Sequence, residues 1–108
     1  MDTLLNIELD TEAYVELLRE CISVSESVQN APALGLIPQE DLVSDFILTA
    51  LSPHLVENGG IIIAERVSFI EGRGNLILKI AGSGDKTLAL VGSHMDVVPA
   101  NPGTNIYY

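Results

Sequence analysis

The tripeptide Asn58-Gly59-Gly60 divides this chain into halves with different hydrophobic periods, and that division limits the folds open to it. Before it, apolar residues recur at helical spacing; after it, they gather in short β-rich runs. From residue 11 to about residue 24, Tyr14, Leu17, Leu18 and Cys21 fall at i, i+3, i+4 and i+7, with Glu12, Glu16 and Glu20 off that stripe. This spacing predicts an amphipathic helix, capped by Asp10 or Thr11, with Glu12 suiting the positive end of its dipole. Residues 29–37 carry Asn, Pro and Gly and read as a loop. A second helix is expected to start near Pro38, with an apolar face of Leu42, Val43, Phe46, Ile47, Ala50 and Leu51, and to close at Pro53.

Three β-rich segments are expected after the turn, at about 61–69, 74–81 and 86–93. The last two are joined by Gly82-Ser83-Gly84-Asp85, a short Gly-rich link that predicts an antiparallel hairpin. Two helices, then a strand and a β-hairpin, make an α/β fold. Nothing in that order covers the second face of the sheet, so the chain reads as the beginning of a larger α/β domain.

The third β segment carries the chemistry. Leu88-Ala89-Leu90-Val91 leads through Gly92 and Ser93 into His94-Met95-Asp96, and Pro99 and Pro102 follow. Side chains two apart on a strand share a face, so His94 and Asp96 are expected to project together at the carboxyl edge, where open α/β sheets bind ligands. Two readings fit the pair. It is either a hydrogen-bonded histidine at a strand end, or a metal ligand, His94, whose second ring nitrogen is oriented by Asp96.

Other motifs fail on inspection. Gly82 to Thr87 lacks the spacing of a phosphate-binding loop and precedes a β pattern rather than a helix, and Gly72 and Gly74 lack the third glycine of a dinucleotide fingerprint. No nucleophile elbow surrounds Ser23, Ser25 or Ser27. His54, at the end of the second helix, meets the dipole or solvent rather than a metal. Cys21 reads as a small core residue, and as the only cysteine it forms no internal disulfide, which fits a reducing compartment.

With 15 acidic and 5 basic residues, a formal charge of -10 and no basic cluster, the chain is a poor partner for nucleic acid or an anionic membrane surface. It has no basic region followed by a long apolar stretch at its start and no apolar run approaching ~20 residues, so a cytoplasmic protein is expected.

Three stretches together carry a resemblance: SVQNAPALGLIPQEDLVSDFI from Ser27, GRGNLILKIAG from Gly72, and LALVGSHMDVVPANP from Leu88. In them the chain resembles the amino-terminal part of the plant-type acetylornithine deacetylases. These lie within the dinuclear zinc peptidase family, which also holds succinyl-diaminopimelate desuccinylase, aminoacylase and carboxypeptidase G. The third stretch is similar to that family's first metal motif. The resemblance implies the start of a three-layer αβα catalytic domain, with His94 a terminal ligand of one of two zinc or cobalt ions and Asp96 the catalytic carboxylate that orients an imidazole. It further implies metal-dependent amide hydrolysis of a small N-acyl amino acid, N-acetylornithine plus water giving ornithine and acetate in arginine biosynthesis, by an enzyme that is a homodimer when complete. The family's bridging aspartate, paired glutamates, last histidine and dimerising lid lie beyond Tyr108. After Pro102, GTNIYY departs from the family pattern, with Asn105 where a Trp is expected. An inactive fragment of such a hydrolase is therefore expected; the alternative is a noncatalytic fragment that binds or regulates a full-length subunit.

Overall fold

Asp10 starts the first helix as its sequence predicts: its carboxylate accepts a hydrogen bond from the Ala13 amide at 3.1 Å and satisfies an otherwise orphan donor of the first turn. In this computed structural model, which describes residues 6–89 and 92–99, helix α1 spans Thr11–Ser23. Its stripe is only half used. Leu17 and Cys21 are partly covered, whereas Tyr14 and Leu18 remain 56% and 48% exposed. Single 3₁₀ turns at Ser25–Val28 and Pro32–Leu34 then carry the chain toward the second helix.

Helix α2 spans Asp41–Leu51, three residues later than expected from Pro38. The intervening residues are held elsewhere: Pro38 is buried, and the Gln39 amide donates to Ser27 O at 2.8 Å. Short 3₁₀ turns at Ser52–His54 and Val56–Asn58 lead into the Asn58-Gly59-Gly60 turn. Gly59 takes a φ of 88°, and a side chain on Gly60 would run into the His54 carbonyl, so neither position admits an ordinary residue without strain.

Strands β1 (Ile62–Ser68) and β2 (Gly74–Ile80) form a two-stranded antiparallel sheet, in register from Ile62 opposite Ile80 to Ser68 opposite Gly74. This corrects the expected pairing, because the hairpin joins the first and second β segments rather than the second and third. Its loop contains Gly72 at a φ of 80°, and the Arg73 amide donates to Ile70 O at 3.0 Å, so residues 69–73 reverse the chain tightly. The third expected segment forms no strand among its described residues 86–89 and 92–93; Leu90 and Val91 lie outside them, as does Asn105. Gly82 to Asp85 is exposed and irregular, and without a tight turn the segment that follows has no register against β2. Among the described residues the architecture is mixed helix and strand, with two α-helices and one hairpin.

Helix α2 is tied to the hairpin by charge. Asp41 Oδ1 accepts from the Gly74 amide at 2.8 Å, and Arg66 Nη2, reaching from β1, donates to Asp45 Oδ1 at 2.6 Å and to Ser44 Oγ at 2.7 Å. Ser44 is fully buried, and its hydroxyl also donates to Asp41 O at 3.1 Å. Among the described residues Val28, Val43 and Leu55 are the buried hydrophobic side chains, while Ile77, Leu78 and Ile80 of β2 stay exposed. Among the described residues no helix is long and apolar enough to cross a membrane.

Ser44→Ala removes one acceptor from Arg66 Nη2, which keeps Asp45 Oδ1, and costs about 0.5–1.5 kcal/mol, the net value of one hydrogen bond. Urea unfolding should show that loss. Thr49→Ala, which removes only an exposed bond to Asp45 O within the same helix, should change stability by less than about 0.5 kcal/mol.

Candidate functional site

Two backbone hydrogen bonds bring the His-Met-Asp segment to the helical half of the chain. The Val97 amide donates to Val28 O at 3.0 Å and the Asn30 amide donates to Val97 O at 2.8 Å, a parallel bridge between Gln29 and Val97. Val28, whose carbonyl takes part in the bridge, is 2% exposed. The docked backbone places Asp96 next to Asn30, whose side-chain amide Nδ2 donates to Asp96 Oδ2 at 2.7 Å. Asp96 therefore has a partner 66 residues away that the sequence pattern does not disclose.

The other carboxylate oxygen faces His94. Imidazole Nδ1 lies 3.0 Å from Asp96 Oδ1 and 2.8 Å from Asp96 O. Both partners are acceptors, so Nδ1 carries the hydrogen, and in the neutral ring Nε2 keeps its lone pair. The His94 side chain is 82% exposed and that of Asp96 28% exposed. The pair expected from the two-residue spacing does form, but not on a strand end. Gly92 to Asp96 is irregular, and the bond to Asp96 O draws the ring back toward its own backbone, a geometry that an extended strand would not permit.

A cleft of about 360 Å³ opens beside the pair, with Glu40, Arg73, Asn75, Phe69 and Ile70 in its walls. Arg73 and Glu40 meet in a two-pronged ion pair: Nη2 donates to Oε1 at 2.9 Å and Nε to Oε2 at 3.2 Å. The bond to Glu40 raises the Arg73 pKa, burial opposes it, and the charges of Glu40 and Asp96 add to the rise. The Asp96 carboxyl is held below its ordinary value of 3.8, chiefly by the Asn30 hydrogen bond, with burial opposing and His94 contributing further. Behind His94 lies a second, more apolar cavity of about 400 Å³ that reaches Cys21, Val43 and Leu76. Burial, then the Glu20 charge, pushes the Cys21 thiol up, away from the thiolate that a nucleophile needs. His54 is exposed at the end of a 3₁₀ turn and lines neither cavity.

Among the described residues no group of three or more His, Cys, Asp or Glu side chains converges as a metal cage. What they offer is one imidazole with its outer nitrogen free and its inner nitrogen anchored on a carboxylate, the donor chemistry of a single oriented metal ligand. Asn30, Glu40 and Arg73 are the members that sequence reading missed. Asn30 looked like a loop residue and Arg73 like part of a failed glycine motif, and no local spacing links either to residue 96.

The chain is similar to a class of hydrolases, and no family model and no solved structure matches it significantly. Within that class its relatives are acetylornithine deacetylases. It is 48% identical over 96 residues to that of Arabidopsis thaliana, covering 87% of this chain and 22% of the relative. It is 40% identical over 103 residues to that of Dictyostelium discoideum, covering 87% of this chain and 23% of the relative. The chain thus spans less than a quarter of the length of the relatives it matches. The resemblance seen in the three sequence stretches is shown by these matches.

Because the folded pKa of Asp96 lies below its unfolded value, its charge contributes stability that is fully present above the unfolded value and is lost as pH falls through the folded one. Wild type should therefore exceed Asp96→Asn in stability near pH 6, and the difference should shrink as pH drops below 3.8. Denaturant unfolding of the two proteins across that range measures it.

Proposed function

We propose that this chain is the amino-terminal part of the catalytic domain of a metal-dependent amide hydrolase of the acetylornithine deacetylase type. Its three-layer αβα domain would act on a small N-acyl amino acid, as a homodimer when complete. The observation that carries this reading is the His94 ring, anchored through Nδ1 on Asp96, largely exposed and set in the wall of a cleft. The similarity to acetylornithine deacetylases supports the same reading.

In this reading His94 would hold one of two zinc or cobalt ions, which would supply Lewis acidity to a water and to the acyl carbonyl. The chain's own residues do the rest of what is described here. Asp96 keeps the Nδ1–H tautomer and makes the imidazole a better donor to a cation, and the Asn30 bond keeps Asp96 ionised for that task. Glu40 neutralises Arg73 in the cleft wall, so the acidic balance beside His94 is not offset by an unpaired cation. Catalytic zinc sites commonly use three protein ligands, and His94 is one. The chain alone is accordingly expected to bind cobalt or zinc weakly and to hydrolyse no N-acetylornithine above background.

A chimera tests the reading. With this chain replacing the matching stretch of the Arabidopsis thaliana relative, hydrolysis of N-acetylornithine should persist. His94→Ala should abolish turnover, and Asp96→Ala should lower it roughly 10- to 100-fold. Turnover unaffected by His94→Ala would overturn the assignment.

A further inference from the structure

Asp96 divides its two oxygens between partners: Oδ2 accepts from Asn30 Nδ2 at 2.7 Å, and Oδ1 faces His94 Nδ1 at 3.0 Å. A carboxylate turns easily about its last torsion, which is broad and two-fold, so an Asp with one fixed oxygen presents the other in a defined direction and a free Asp does not. Asn30 is suited to fix it. Its own backbone is locked by the bond from its amide to Val97 O at 2.8 Å, next to the fully packed Val28, so its side chain starts from an immobile base. The His94 ring, by contrast, is 82% exposed, and among the described residues its hydrogen bonds are made through Nδ1 alone.

We propose that Asn30 is a positioning residue for His94, acting through Asp96: its amide pins one carboxylate oxygen so that the other is presented to the imidazole Nδ1–H. The three side chains form a relay that runs from the loop after α1 to an exposed ring in the cleft wall. The carbonyl of Asp96 also accepts from Nδ1, at 2.8 Å, so loss of Asn30 loosens the ring rather than releasing it. The weight of the relay in catalysis rests on the function proposed above, but the relay itself does not, and it can be measured on the metal-free chain.

Long-range proton–nitrogen NMR of the two imidazoles, above the usual histidine titration range, gives the ratio of the Nδ1–H and Nε2–H tautomers for each ring. His54, exposed and outside the relay, is the internal reference. Asn30→Ala should shift the His94 ratio toward Nε2–H by roughly two- to tenfold, the scale of one net hydrogen bond, and leave His54 unchanged. In an Asp96→Ala background the same substitution should add nothing, since Asn30 acts only through that carboxylate. Asn30→Asp keeps the side chain's size and its backbone bonds but replaces the donor with an acceptor, and it should shift the ratio in the same direction where truncation disturbs the loop. An unchanged His94 ratio in both variants, or an equal shift with and without Asp96, would overturn the proposal. An inactive chimera would overturn the functional reading while leaving this result standing.

Discussion

Everything at the candidate site hangs from the two hydrogen bonds between Val97 and the segment Val28–Asn30. Each is worth only about 0.5–1.5 kcal/mol net, and burying a valine side chain such as that of Val28 adds roughly 1.5–3 kcal/mol. Together they exceed what the segment around His94 obtains from regular structure, because Gly92 to Asp96 has none. The bridge sets the backbone of residue 97, that backbone places the Asp96 carboxylate against Asn30, and the carboxylate aims His94. A break at the first step removes the other two.

A second set of constraints holds the opposite wall of the cleft. The acidic excess of the chain is used here in short-range pairs: Asp41 and Asp45 with Arg66, and Glu40 with Arg73. Both arginines come from the hairpin and the acids from the start of α2 and the residue before it, so the hairpin is fastened to the helix end by charge. These groups are partly exposed, which keeps each pair modest in energy. Their value is geometric, since Gly74 and Arg73 are placed beside His94 by the same ties that join Asp41 to the Gly74 amide.

The helices were legible in the sequence because their signals are local. The Asp10 cap and the apolar repeat of α1 act within a few residues, and the structure uses the first fully and the second in part. The extents of β1 and β2 were legible for the same reason. Pairing was not. The Gly-rich link at residues 82–85 looked like the hairpin turn, yet the tighter reversal at Gly72 joins the neighbouring strands. At the site, the spacing of His94 and Asp96 disclosed that they meet, because two residues suffice for that. It did not disclose Asn30, whose contact is made by a single bridge between distant segments, too short to leave any period in the sequence.

Amide hydrogen exchange of Val97 and Asn30 under native conditions tests the central claim most directly. If the bridge organises the site, these two amides are protected to the same degree and lose protection together when Val28→Ala truncates the buried side chain of the residue whose carbonyl accepts in the bridge, while the β1–β2 amides keep theirs. Exchange of Val97 at the rate of an unstructured peptide in the wild-type chain, with the hairpin still protected, would contradict the account.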